Sequence, residues 1–228
     1  MDETRLNESS PLPFKLLEPP RKINSGQTSH NYVLVTEKST LIMEKPMNPL
    51  LIDPGRKPCS LEDEHERLTL LHGKGALVPK SLGLVETEEF GKVLIKEFIE
   101  GSNIDEIMYK DFYFTVEQVK QILVELVKTL KIFEDEGLYP SDLAAENIIL
   151  RHQDDTFTPY LVDVKEMSTN PKDKDTVISQ LRNSILSVLL SKIRDEDQLS
   201  PGLNELNSLD AQIVSGEIDS LDRLKSNL

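Results

Sequence analysis

Asp142 and Asn147 stand five residues apart in the run Asp142-Leu143-Ala144-Ala145-Glu146-Asn147-Ile148-Ile149-Leu150, and Asp163 follows the apolar pair Leu161-Val162. If those two apolar runs pair as a hairpin, three side chains with acceptor oxygens converge at its open end. Asn147 and Asp163 could hold a hard cation such as magnesium, which takes oxygen ligands. Asp142 would then be free to orient or deprotonate a hydroxyl. Taken singly, each acid reads more readily as a loop cap or turn former. The order in which they occur along the chain favours chemistry.

Two further charges stand on faces that should be apolar. In the strand ending at Lys45, alternation puts Leu41, Met43 and Lys45 on one side, so the ammonium needs a partner. In the helix after Ser60, Leu61, Glu64, Leu68 and Leu71 recur at helical spacing, which sets Glu64 on the buried stripe. An unpaired buried charge costs several kcal/mol, so the economical expectation is that Lys45 and Glu64 meet. The bland alternative is that both snorkel to solvent at the edge of a small unit.

Composition removes other classes. With 26 Lys+Arg against 40 Asp+Glu the formal charge is -14, which argues against nucleic acid or anionic lipid as partner. Cys59 is the single cysteine, which excludes an internal disulfide and a cysteine-clustered zinc site. The four histidines (His30, His65, His72, His152) lack ligand spacing. No run approaches the roughly 18 apolar residues of a membrane span, and the first residues carry neither a basic nor an apolar signal region. A soluble, cytoplasmic protein is the expectation.

The elements that must position these residues follow from pattern. Residues 1–21, rich in Pro, Ser and Glu, read as a flexible arm. Tyr32–Val35 and Thr40–Met43 form a hairpin about the turn Thr36–Ser39, and Leu82–Val85 pairs with Lys92–Ile99. Between them a helix starts with Ser60 as N-cap and stops at Gly73. Thr115 and Gln118 make a capping box for a long helix whose Val119, Ile122, Leu123, Leu126, Leu130 and Phe133 share one face, ended by Gly137. Further helices are expected over Thr176–Arg194 and within 203–226. The fold class is α+β.

On these segments the chain resembles the protein-kinase-like superfamily over roughly residues 22–190. Asp142 and Asn147 match the catalytic loop, Asp163-Val164-Lys165 stands where Asp-Phe-Gly is customary, Lys45 matches the β3 lysine and Glu64 the αC glutamate. Lys96-Glu97-Phe98-Ile99-Glu100-Gly101 looks like the hinge. A closer likeness is to the small bacterial kinase-like proteins of the PhoP regulatory network (YrbL) family, in the helix Val119–Phe133, Asn147-Ile148-Ile149-Leu150 and the hairpin leading to Val162-Asp163.

The resemblance implies a small, mostly-β N-lobe with one helix over 22–100 and a reduced, mainly helical C-lobe over 101–228. It also implies ATP and Mg2+ as cofactors and phosphoryl transfer to a protein or small-molecule hydroxyl. Asp142 would be the base, with Lys45 on the phosphates and Glu64 orienting it. Asn147 and Asp163 would take magnesium, and Gly26, Val33, Met43, Lys45, Glu97 and Ile99 would hold the nucleotide. Departures are Pro140-Ser141 in place of His-Arg, Ala144 where a lysine is frequent, one glycine in Ser25–Val33 where three are customary, and no Ala-Pro-Glu. They keep a second expectation open: a pseudokinase serving as a regulatory binding module.

Overall fold

A computed structural model describes residues 14–25, 29–47, 59–194, 197 and 200–228. It divides into two compact units, one of Met1–Leu70 with Pro79–Phe98 and one of Leu71–Val78 with Ile99–Leu228.

Among the described residues the first unit is a five-stranded antiparallel sheet with one helix. Its strands are β1 (Arg21–Ser25), β2 (Ser29–Val35), β3 (Thr40–Pro46), β4 (Ser81–Thr87) and β5 (Gly91–Glu97), in spatial order β1-β2-β3-β5-β4. Thr36 closes the β2–β3 turn, its Oγ1 donating to the Ser39 carbonyl at 2.8 Å and accepting the Ser39 N–H at 3.0 Å. Helix α1 (Leu61–Gly73) starts where expected, with the Asp63 N–H donating to Ser60 Oγ at 3.0 Å.

The two faces of this sheet are buried differently. On one, Leu34, Leu41, Met43, Val93 and Ile95 form a core onto which Phe14, Leu16, Tyr32, Val85 and Phe90 pack. The other carries Val33, Ile42, Glu44, Leu94 and Lys96, as strand alternation and the pairs Val33↔Ile42, Ile42↔Lys96 and Glu44↔Leu94 require. Coverage of both faces explains the unbroken apolar run Val93-Leu94-Ile95. The arm reading is corrected at its C-terminal end. Leu16 bridges Thr36, and the Leu17 N–H donates to the Val35 carbonyl at 2.8 Å, so this segment is tied to the sheet and packs Phe14 and Leu16 against its core. Residues 1–13 lie outside the described residues.

The second unit is built around α3 (Val116–Asp135), whose capping box is formed: Gln118 Oε1 accepts the Thr115 N–H at 2.9 Å and Thr115 Oγ1 accepts the Gln118 N–H at 3.2 Å. Its face Val119, Ile122, Leu123, Leu126, Leu130 and Phe133 is fully buried. The hairpin β8 (Ile148–Gln153) and β9 (Thr156–Leu161) turns through Asp154 and Asp155, both at positive φ, a conformation that Asp tolerates better than most residues. Strand β6 (Ser102–Asn103) pairs with β8, and α2 (Ile104–Met108) follows it. A side chain at Gly101 would place its Cβ 2.3 Å from the Leu150 carbonyl oxygen, so only glycine permits this approach.

The helix expected over Thr176–Arg194 runs as α4 (Lys174–Gln180), a π-helical stretch Leu181–Leu186 and α5 (Ser187–Ser191). Helices α6 (Pro201–Ser215) and α7 (Leu221–Asn227) replace the single helix expected near the C-terminus. They are tied back by Lys120–Glu205, Arg182–Asp210 and Lys131–Asp222 ion pairs. Among the described residues no helix is long and apolar enough to cross a membrane.

Candidate active site

In the first unit the buried cation is Lys96. Its Nζ donates to Glu44 Oε2 at 2.6 Å and to Glu64 Oε1 at 2.8 Å, with all three side chains buried. The register makes this contact: Lys96 lies opposite Ile42, so Glu44, two residues along β3, is its diagonal neighbour on the same face, and α1 brings Glu64 over both. Burial by itself would lower the Lys96 pKa. The attraction of Glu44 and Glu64 and their hydrogen bonds outweigh it and hold the ammonium well above the ordinary lysine value.

The expected Lys45–Glu64 pair is therefore corrected. Glu64 is on the buried stripe of α1 as read, but its ion-pair partner is Lys96 from β5. Lys45 projects from the opposite face of the sheet, where its Nζ lies 5.4 Å from the centre of the Phe90 ring. The alternation that groups Lys45 with Leu41 and Met43 is right, and α1 packs on the other side. Val33 and Met43, both expected at the nucleotide, are also parted: Val33 shares the face of Glu44, and Met43 is fully buried in the opposite core. Glu97 Oε2 accepts the Lys80 N–H at 3.3 Å, Ile99 is buried in the second unit, and Gly26 lies outside the described residues. Lys96 was legible only as a charge ending an apolar strand.

In the second unit the chain through Asp142 is held by its backbone. The side-chain amide of Gln180 brackets it: Oε1 accepts the Leu143 N–H at 3.1 Å and Nε2 donates to the Ser141 carbonyl at 2.8 Å. Leu143 is buried, and the Ser141 N–H donates to the Glu166 carbonyl at 2.9 Å. Asp142 itself is exposed, so the backbone is fixed while the carboxylate faces solvent. Asn147 Nδ2 donates to the Asp142 carbonyl at 3.3 Å, which leaves Oδ1 as the amide's ligand atom. The Val162 N–H donates to the Asn147 carbonyl at 2.9 Å, so Asn147 and Asp163 leave the hairpin's open end side by side. Asp163 Oδ1 accepts the Lys165 N–H at 3.0 Å. Past it, β10 (Met167–Ser168) pairs with β7 (Tyr139–Pro140), and a 3-10 turn leads directly into α4.

Sequence reasoning missed Gln180, a polar residue within a helical pattern and without a motif. Gln180→Met keeps the length and removes both hydrogen bonds. Amide exchange at Leu143, followed by mass spectrometry or NMR, is expected to quicken about tenfold or more, since each lost bond is worth roughly 1 kcal/mol.

No protein-family model matches the chain. Among solved structures it is similar to that of Rad53 residues 1–466 in complex with AMP-PNP, with a TM-score of 0.65 and 11% identity, covering 94% of this chain and 64% of that one. The fold is protein-kinase-like. Among curated proteins, serine/threonine-protein kinase D of Synechocystis sp. is 39% identical over 70 residues, 31% of this chain. The chain spans 13% of the length of that relative. In the kinase-like chain, the sheet with α1 is the mostly-β part and the α3-centred unit the mainly helical one.

Proposed function

We propose that the chain is an ATP- and magnesium-dependent phosphotransferase, acting in the cytoplasm on a hydroxyl of a protein or small molecule. The observation that carries this reading is the loop of the second unit, where Gln180 holds Ser141 and Leu143 on either side of Asp142 while the hairpin end sets Asn147 next to Asp163. The donor set fits a hard cation. Asn147 offers a carbonyl oxygen oriented by its own Nδ2 contact, and Asp163 offers a carboxylate. Among the described residues no cluster of three or more acidic, histidine or cysteine side chains could hold a metal alone, so phosphate oxygens and water would complete the shell. Bound there, magnesium would neutralise charge on the transferring phosphoryl group.

Asp142 accepts the proton of the attacking hydroxyl as its oxygen forms the new bond to the γ-phosphorus and the bond to the β-phosphate oxygen breaks, releasing ADP. Lys96, oriented by Glu64, takes the phosphate-binding role that the resemblance implied for Lys45, and Glu97 and Ile99 lie in the hinge segment. The finer likeness to the PhoP regulatory network (YrbL) family belongs to this same reading.

A second reading, a pseudokinase that serves as a binding module, is favoured by one observation: Glu44 occupies Lys96 from the side. Calorimetric titration with magnesium-ATP, with and without the metal, separates the two. Wild type is expected to bind in a magnesium-dependent manner and Asp163→Ala to lose that dependence, since one of two protein ligands is gone. Equal affinity in both proteins, or no phosphate transfer by wild type to any acceptor including itself, would leave the binding-module reading.

A further inference from the structure

We propose that Lys22, His30 and Lys45 form a binding site for a phosphate group, free or carried on a serine side chain, on the face of the first unit's sheet away from α1. The site stands apart from Lys96 and does not rest on the phosphotransferase reading. Strand register brings the three residues together. His30 lies directly opposite Lys45 of β3, and Lys22 of β1 lies opposite Tyr32, the residue two along β2 from His30 on the same face. Opposite and diagonal neighbours on one face of a sheet are within reach of long side chains. His30 and Lys45 are half-buried and Lys22 is exposed, so the cluster stands where the core meets solvent. A cation–π contact with Phe90, 5.4 Å from the ring centre to Nζ, restrains the Lys45 ammonium there.

The sign of the cluster is what sets it apart. The chain carries 40 Asp+Glu against 26 Lys+Arg, yet among the described residues neither Lys22 nor Lys45 has a carboxylate partner. The charged groups that face His30 from the neighbouring strands are these two lysines, Lys22 from β1 and Lys45 from β3. Burial, and then the two ammoniums, push the His30 imidazole below its ordinary pKa, so it is mostly neutral at pH 7. An imidazolium there would lie opposite an ammonium, which is unfavourable without a counter-anion. A phosphate dianion brings two charges and three acceptor oxygens to two ammoniums and one imidazole, where a carboxylate brings a single charge. Its arrival reverses the field at His30. The imidazole then takes up a proton from solvent and donates a third charge-assisted hydrogen bond.

The test follows the His30 ring signals of the full chain by NMR at pH 7 and constant ionic strength, with the signals assigned by their loss in His30→Gln. Three probes are titrated: inorganic phosphate, a phosphoserine peptide and the same peptide with unmodified serine. Phosphate or the phosphopeptide is expected to move the His30 signals saturably towards their protonated position, and the serine peptide to leave them in place. Lys22→Gln and Lys45→Gln are each expected to weaken that binding about fivefold or more, since each removes one charge-assisted hydrogen bond. Lys38→Gln removes the same charge from the turn at the far end of the β2–β3 hairpin and is expected to change it less than about twofold. Melting checks that the variants fold, and exposed Lys22 gives a variant that disturbs no core contact. A response to inorganic phosphate supports a site for the free anion, and a response to the phosphopeptide alone supports one for a phosphorylated side chain. No movement of His30 with either probe, or equal weakening by all three lysine variants, overturns the site and leaves the reading of Lys96 untouched.

Discussion

Asp142→Asn is expected to lower turnover of phosphoryl transfer about 10²-fold or more while nucleotide affinity barely changes. The substitution keeps the side-chain size and removes the charge and the base. The backbone hydrogen bonds that hold the loop involve Ser141, Leu143 and the carbonyl of Asp142, none of which depends on the carboxylate. The loop therefore keeps its conformation, and any loss reports on chemistry. Single-turnover rates alongside direct nucleotide titration check this, and equal rates in the two proteins would remove Asp142 from the reaction and leave it as a loop cap.

Lys96→Met is expected to destabilise the fold by about 3–5 kcal/mol, the usual effect of breaking a buried ion pair from one side. Two buried carboxylates, Glu44 and Glu64, lose the ammonium between them. Replacing all three residues by Met should recover most of that loss, because an apolar cluster of similar volume needs no compensation. Urea denaturation of the single and triple variants measures both effects, and a single variant as stable as wild type would show that the triad does not hold α1 to the sheet.

The pH dependence has a definite sign. The folded-state pKa of Lys96 is raised above its unfolded value, so its contribution is complete below the unfolded pKa of about 10.4 and is lost as pH rises through the folded value. The stability that Lys96 confers should thus persist unchanged up to about pH 9 and decline only in strong alkali.

Much of the candidate site was legible because its signals are local. The capping box of Thr115 and Gln118 acts within one turn, so the residues alone place the start of α3. The runs on either side of Asp154-Asp155 pair because they are apolar, adjacent and joined by a turn, which brings Asn147 beside Asp163 without reference to the rest of the chain. The spacing of Leu61, Glu64 and Leu68 likewise marks Glu64 as buried whichever partner it finds.

What tertiary structure alone decided is which face of β3 meets α1. Alternation divides Thr40–Pro46 into two faces, yet both are buried, one under α1 and the other under Phe14 and Leu16, so hydrophobicity cannot choose between them. A choice that differs by one residue exchanges Lys45 for Glu44, and the cation that answers Glu64 comes from Lys96, 32 positions away. Gln180 belongs to the same class, since its bracket around Asp142 spans 37 and 39 positions and depends on where α4 docks. Periodicity reports whether a side chain is covered. The identity of the group that covers it is a property of long-range packing, and here that packing selects the lysine.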